Sequence, residues 1–355
     1  MQLKICSKII LLLFAFVLAL MLTIVSAKAD FTFGEPVNLE SVIPAIDPAY
    51  DFINCLSYDG LEMYIVSGQG HDTNLRVLRR ESEDEDWGPP EDLGPVVNTA
   101  DDSGSSISAD GLALYFNSNR AGGQGSWDIY MTTRTTKNDP WGPPVNLGPK
   151  VNSPYSEAWP WISADGLEIY FHSWRPGGYG NADIYVTRRP TQNDPWADAV
   201  NLGSVVNSSY NEYGPCLSPD GLLLFLDTPA GGSYGYSDIR VTRRATKNDP
   251  WGVLVNLGPK VNGPADDYAP HISPDGSTLY FQTELAGTFD NWQASIIPIV
   301  DFNGDGIVNL KDFSRLAQYW GQDEPSVDIG PMSWGDGRVD IQDLAVFAEY
   351  WLSGF

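Results

Sequence analysis

The chain has 355 residues, with 21 lysines and arginines against 46 acids and a formal net charge of −25. The first 29 residues hold three lysines and no acid, so the remainder carries −28, a surface that repels phosphate backbones and anionic bilayers and leaves cations and neutral ligands as partners. Hydrophobic residues at 42% and aromatics at 12% suffice for a core and exclude a disordered chain, while 35 glycines and 26 prolines announce many turns.

Residues 1–29 read as a signal peptide. Lys4 and Lys8 precede an apolar run from Ile9 to Val25, and Ala27-Lys28-Ala29 supplies the small-x-small pattern of a cleavage site. The alternative is an uncleaved anchor, since the run is slightly long. No Cys follows the run, which argues against a lipoprotein. The body is expected to be secreted, periplasmic or at the cell surface, with no membrane contact after cleavage. Cys6 leaves with this segment, and Cys55 and Cys216 are too few for a disulfide framework.

An internal repeat fills residues 30–298. Asp-Gly pairs recur at 59, 110, 165, 220 and 275, with Trp87, Trp141, Trp196 and Trp251 between them. One unit reads as four strands. Trp159–Ser163 leads through an Asp-Gly turn, whose glycine supplies positive φ, into Leu167–Ser173. A glycine-rich loop and Asp183–Arg188 follow, and a last strand ends near Leu202. Four-stranded units of this length stack radially as propeller blades. Phe33-Gly-Glu-Pro-Val-Asn-Leu39 aligns with Trp141-Gly-Pro-Pro-Val-Asn-Leu147, so it is an orphan fourth strand able to complete the last unit and close a ring of five. Phe33 and the four repeated tryptophans are then packing between blades. Cys55 and Cys216 fall in blades that are not neighbours, which predicts two free thiols.

Six residues before each turn serine stands an acid: Asp51, Asp102, Glu157, Glu212 and Asp267. Closed into a ring, the five approach one mouth of the central channel. They suit either a cation site or glycosidase-type carboxylates, or else they accept hydrogen bonds that hold the blades. Presence in every blade favours the second role. The positions that break the repeat are more selective. Blade three has Trp159 where others have Ile53, Gly104, Gly214 or Ala269, and Trp161 where others have Cys55, Ser106, Cys216 or His271. Trp174 stands where others have Asn119, Pro229 or Glu284, and Tyr179 lies in the adjoining loop. Trp161 precedes a core-like Ile162 and reads as core. Trp159, Trp174 and Tyr179, with Glu157 to accept from hydroxyls, form a candidate site for a carbohydrate or peptide, where stacking on one indole contributes about 1 kcal/mol. His71, His172 and His271 have no metal-ligand spacing, and no nucleophile elbow or phosphate loop is present.

Ser218-Pro-Asp-Gly221 and Ser273-Pro-Asp-Gly276, with Arg175-Pro-Gly-Gly-Tyr-Gly180 and Asp183-Ile-Tyr185, resemble the repeats of TolB-like, WD-repeat-like propellers. The resemblance covers about three quarters of the chain and implies a binding platform. Blade one lacks the Arg-x-Gly-Gly loop, and blade four has Ala230 at the arginine position.

Residues 299–355 change character. Asp301, Asn303, Asp305, Asn309 and Asp312 fall at positions 1, 3, 5, 9 and 12 of a calcium loop, with Gly306 at the bend and the Ile307 carbonyl at position 7. Leu310, Phe313, Leu316, Ala317 and Trp320 follow at helical spacing. The unit recurs 31 residues on, with Asp336, Asp340 and Asp343 in the loop and Ile341, Leu344, Phe347, Ala348 and Trp351 in the helix. Two such loop–helix units resemble a type I dockerin. That resemblance implies a small all-α, calcium-binding domain that docks a cohesin-like or other surface protein. Met332 and Trp334 occupy positions 1 and 3 of the second loop, and the position 10–11 pairs are Leu310-Lys311 and Ile341-Gln342 rather than the Ser/Thr pairs of cellulosomal dockerins.

The expected molecule is an exported, all-β five-bladed propeller with a dockerin-like tail. It acts as a non-catalytic binding platform. The alternative is a glycoside hydrolase that uses two or three of the ring acids.

Overall fold

The computed structural model of the protein describes residues 31–353, apart from 44, 48–50, 70–71, 286–287, 301, 303–308, 323, 325–326 and 331–337. The expected signal peptide, His71, and the loop residues Asp301, Asn303, Asp305, Ile307 and Asp336 lie outside the described residues. No helix among those described is long and apolar enough to cross a membrane.

The chain begins with β1 (Phe31–Phe33) and β2 (Val37–Asn38). Blade one is β3 (Asp51–Leu56), β4 (Glu62–Gln69), β5 (Asp72–Arg79) and β6 (Glu91–Asp92). Blade two is β7 (Asp102–Ile107), β8 (Ala113–Ser118), β9 (Asp128–Thr133) and β10 (Val145–Asn146). Blade three is β11 (Glu157–Ile162), β12 (Glu168–Ser173), β13 (Asp183–Arg188) and β14 (Val200–Asn201). Blade four is β15 (Tyr213–Leu217), β16 (Leu223–Thr228), β17 (Asp238–Arg243) and β18 (Val255–Asn256). Blade five is β19 (Asp266–Ile272), β20 (Thr278–Leu285) and β21 (Thr288–Pro298). Strands within each blade pair antiparallel in sequence order, and the first strands of neighbouring blades meet around the centre.

Blade five borrows its outer edge from the start of the chain. Phe31 pairs with Pro298 and Phe33 with Ile296 in β21, and β2 pairs farther along the same strand, Asn38 with Trp292. Lys260 donates to the Phe33 carbonyl at 2.8 Å, tying β1 to the linker after blade four. Asn291 joins blade five to blade one by accepting from the Ile53 N–H and donating to the Asp51 carbonyl.

The core is divided into slabs between blades. One slab packs Tyr64 and Val77 of blade one on Leu114 and Phe116 of blade two, and another packs Tyr170 and Ile184 on Leu224 and Leu226. The repeated tryptophans belong to these slabs. Tyr64 meets Trp141, Tyr115 meets Trp196, and Tyr170 meets Trp251, each edge to face and each across a blade boundary. An arginine of the same blade covers each indole, Arg134 on Trp141 and Arg244 on Trp251 among them. Those two arginines also reach a carboxylate of the preceding blade, Glu62 and Glu168. Trp161 packs against three slabs at once, across the axis of the ring. It borders a void of about 20 Å³ shared with Cys55, Ser106 and Leu217, so the central channel is closed there. Cys55 and Cys216 are buried free thiols, and burial pushes the Cys55 thiol up to about 12.

Two helices follow, α1 (Leu310–Gln318) and α2 (Ile341–Ser353). Val300, Leu316, Val327, Ile329, Val339 and Phe347 form their core. The two starts are alike. Asp312 Oδ2 accepts from the Asn309 N–H at 3.0 Å, and Asp343 Oδ2 accepts from the Asp340 N–H. The side chain of Asn309 accepts from the Lys311 N–H and that of Asp340 from the Gln342 N–H. These are reciprocal N-terminal caps, and they repeat at the spacing of the sequence repeat. The expected apolar stripe is corrected in part. Leu316 and Phe347 are buried, but Leu310, Ala317, Trp320 and Ile341 face solvent. Leu310 and Ile341 are the first residues of their helices, ahead of the turn that packs on the core.

Candidate functional site

Three of the five ring acids, Asp51, Asp102 and Glu157, begin the inner strands, Asp267 is the second residue of β19, and Glu212 immediately precedes β15. All are buried, and Asp51, Glu157, Glu212 and Asp267 accept backbone hydrogen bonds from the linkers that deliver their strands. Glu157 shows the full set. Its carboxylate accepts from the Ser153 N–H and hydroxyl, from Ser173 Oγ at 2.7 Å and from Arg175 at 3.1 Å. The Arg175 guanidinium lies over Tyr185 and also donates to the Val151 carbonyl. Asp102 has the same arrangement through Arg120, which donates to the Val97 carbonyl. Blade four lacks this arginine, and Glu212 is held by Ser208 and Thr228 instead. There the guanidinium comes from β17: Arg240 replaces the tyrosine found at 130 and 185 and donates to the Ala230 carbonyl. Asp51 accepts from the Asp47 N–H, and Asp267 from the Gly263 N–H. With so few partners, burial pushes the Asp267 carboxyl up to about 7. The ring acids therefore clamp linkers, and none of them lines the surface cleft described next. Glu157, expected from the sequence to accept from a ligand's hydroxyls, is buried, bonds inside the blade and does not line the cleft.

That cleft, of about 440 Å³, opens over blades three, four and five. Blade three gives Trp159, His172 and Trp174; blade four gives Tyr213, Asp227 and Tyr236; blade five gives Asp266 and Tyr268. Trp159 and Trp174, singled out in the sequence, thus share one wall system. Tyr179 is exposed but is not among the lining residues. Trp174 is 37% exposed, and its ring contacts His172 at 4.7 Å and Tyr213 at 5.9 Å between centroids. His172 is buried, and desolvation pushes it down to about 3, so it is a neutral part of the wall. His271 is likewise buried, stacked on Tyr280 and pushed down to about 3.

The floor is made by the inner-strand bulges. Register shifts once in each of blades two to five, at Gly104, Trp159, Gly214 and Ala269, which all take φ near +50°. In blades three, four and five the bulged N–H points at a side chain of the preceding blade's second strand. Trp159 donates to Asn117 Oδ1 at 3.0 Å, Gly214 to His172 Nδ1 at 3.4 Å, and Ala269 to Asp227 Oδ1 at 3.1 Å. The bulge re-aims the inner strand at the mouth of the ring and places Trp159 in the cleft. Asp266 accepts from the N–H groups of Tyr236 and Ser237, fixing the loop that carries Tyr236 against blade five. The Tyr268 hydroxyl donates to Glu284 at 2.9 Å.

No family model and no curated protein matches the chain. Several solved structures are similar to it over most of its length. A putative TolB from Agrobacterium tumefaciens is 19% identical with a TM-score of 0.45, over 72% of this chain and 79% of that one. An endo-arabinase from Bacteroides thetaiotaomicron is 15% identical with a TM-score of 0.46, over 75% and 97%. A Coprinopsis cinerea GH62 α-L-arabinofuranosidase catalytic domain is 13% identical with a TM-score of 0.47, over 75% and 96%. TolB from Acinetobacter baumannii is 16% identical with a TM-score of 0.44, and the match spans 69% of this chain and only 54% of that one.

Proposed function

We propose that the chain is an exported, non-catalytic binding platform that captures a carbohydrate or protein ligand in the cleft over blades three to five. A calcium-dependent, dockerin-like tail would tether it to a cohesin-like or other surface protein. The observation that carries this reading is the division of labour among side chains. Flat rings from three consecutive blades face one opening, while the repeated carboxylates are buried and lie outside it. Flat rings with a few polar groups are the chemistry of a binding cleft. The test is a polysaccharide and peptide array probed with the purified protein, repeated with Trp174→Ala. The expected result is a ligand whose affinity falls at least about 10-fold in the variant, close to 1.4 kcal/mol. Unchanged binding by Trp174→Ala would remove the cleft from the account.

Glycoside hydrolysis is the second reading, and one observation favours it. Asp227 and Asp266 both line the cleft, and burial pushes the Asp227 carboxyl up to about 7, where an acid catalyst works. Release of reducing sugar from an array polysaccharide, lost in Asp227→Asn, would establish it in place of the first.

For the tail, the donor set is all oxygen: Asp301, Asn303, Asp305, the Ile307 carbonyl, Asn309 and Asp312 in the first loop, with Asp336, Asp340 and Asp343 in the second. That chemistry fits calcium. Asp312 and Asp343, both fully buried, each cap the start of their own helix. Calcium would supply charge neutralisation there and pin the loops. Leu310 and Ile341, 67% and 65% exposed at matched places in the two units, offer an apolar docking pair.

A further inference from the structure

Asp227 occupies a position where the fold needs only a neutral acceptor. The bulged N–H of the next blade is received there by Asn117 in blade two and by a neutral imidazole, His172, in blade three. Between blades five and one, Asn291 receives the Ile53 N–H in the same way. Blade four performs the same task with one carboxylate oxygen, Oδ1. The second oxygen has only a 3.4 Å contact from the Ser237 hydroxyl. A buried, ionisable group is thus kept where an amide would serve, and it lines the cleft.

Its surroundings suit a cation. Among the described residues that line the cleft there is neither lysine nor arginine, and Arg240 of the same blade donates to the Ala230 and Gly231 carbonyls. Trp159, Trp174, Tyr213 and Tyr268 surround the opening, and indole and phenol faces attract a nearby ammonium group. Asp266 adds a second carboxylate at the rim. A narrow tube would suit a lysine side chain. A cleft of about 440 Å³ with several ring faces and the Asn211 and Ser237 side chains fits a whole pyranose ring.

We infer that the cleft selects a sugar bearing a free amino group, whose ammonium sits against Asp227 between the aromatic rings. This inference rests on the carbohydrate-binding reading above and names its ligand class. The test compares glucosamine oligomers with the N-acetylated oligomers of the same length, by calorimetry on the full chain. The amine form is expected to bind at least 10-fold tighter. Asp227→Asn, which retains the bulge acceptor that Asn117 provides in blade two, is expected to erase that difference. Equal binding of the two oligomers by the wild-type chain overturns the ammonium site and leaves a neutral-sugar platform standing. Binding of neither oligomer, with a lysine-rich peptide bound instead, overturns both. The wild-type comparison decides the matter even if the variant fails to fold.

Discussion

Trp159 holds a left-handed backbone, φ 53°, at a position where blades two and four place glycine. A side chain there costs about 1–2 kcal/mol. The indole contributes to the cleft wall, so the strain is located where a ligand would bind. Trp159→Gly restores the residue type of Gly104 and Gly214. It is expected to keep the fold, with a thermal midpoint within a few degrees of wild type, while ligand affinity falls at least about 10-fold. Scanning calorimetry beside a binding titration separates the two effects. Asp227 makes a second residue-scale prediction. Its carboxyl rises from an ordinary 3.8 to about 7 because it is desolvated, with Tyr213, Tyr268, Asp266 and the Glu284 partner of Tyr268 adding no positive charge nearby. The folded state therefore binds the proton more tightly than the unfolded chain. Its contribution is fully present below the unfolded value and is lost as pH rises through about 7, up to about 4 kcal/mol in all. Asp227→Asn should match wild type in urea midpoint near pH 4 and exceed it at pH 8. Parallel pH curves would show that burial does not shift this group. Trp159 was legible as a break in the repeat. Asp227, Tyr213 and Tyr268 were not singled out, because blade three drew attention while the cleft is assembled from three blades. The signal was present: aspartate at 227 against Asn117 and His172 at the same repeat position.

At the scale of elements, each blade is a meander whose turns and inner bulge are set locally. The Asp-Gly turns, the orphan segment and the interblade tryptophans could therefore be read from spacing alone. Side-chain direction could not, since an acid at a strand start looks the same whether it faces a ligand or a linker. The structure shows five carboxylates facing linkers, and blade four, which has Ala230 in place of the arginine, holds Glu212 through Ser208 and Thr228. β1 and β2 are the elements on which closure depends. Phe31 and Phe33 are buried against Ile296 and Phe281, and removing a buried phenylalanine costs about 3 kcal/mol or more. Deletion of 31–42 should lower stability by about 5 kcal/mol or more and leave β21 as an open edge prone to self-association. A truncated chain with the wild-type melting temperature, monomeric by light scattering, would contradict this.

For the whole molecule, the tail and the ring have separate cores, the tail's made of Val300, Leu316, Val327, Ile329, Val339 and Phe347. Calcium should act on the tail alone, because its binding energy there is folding energy. Titration of the full chain is expected to show at least one calcium ion bound. Asp305→Ala should abolish the first site, and Asp336→Ala should weaken binding less. Chelation should raise amide exchange in 299–355 and leave the ring protected, whereas exchange unchanged throughout would end the calcium assignment. The seam where the ring shuts has a kinetic meaning. Phe31 finds its partner in Pro298, 267 positions along the chain. Hairpins inside a blade form from neighbouring segments, but joining ends so far apart costs about 5 kcal/mol of chain entropy before any contact rewards it. Closure is then expected to come late in folding. A polypeptide passed through a membrane amino end first would travel as an unsealed row of blades, unable to lock until its fifth blade had emerged on the far side.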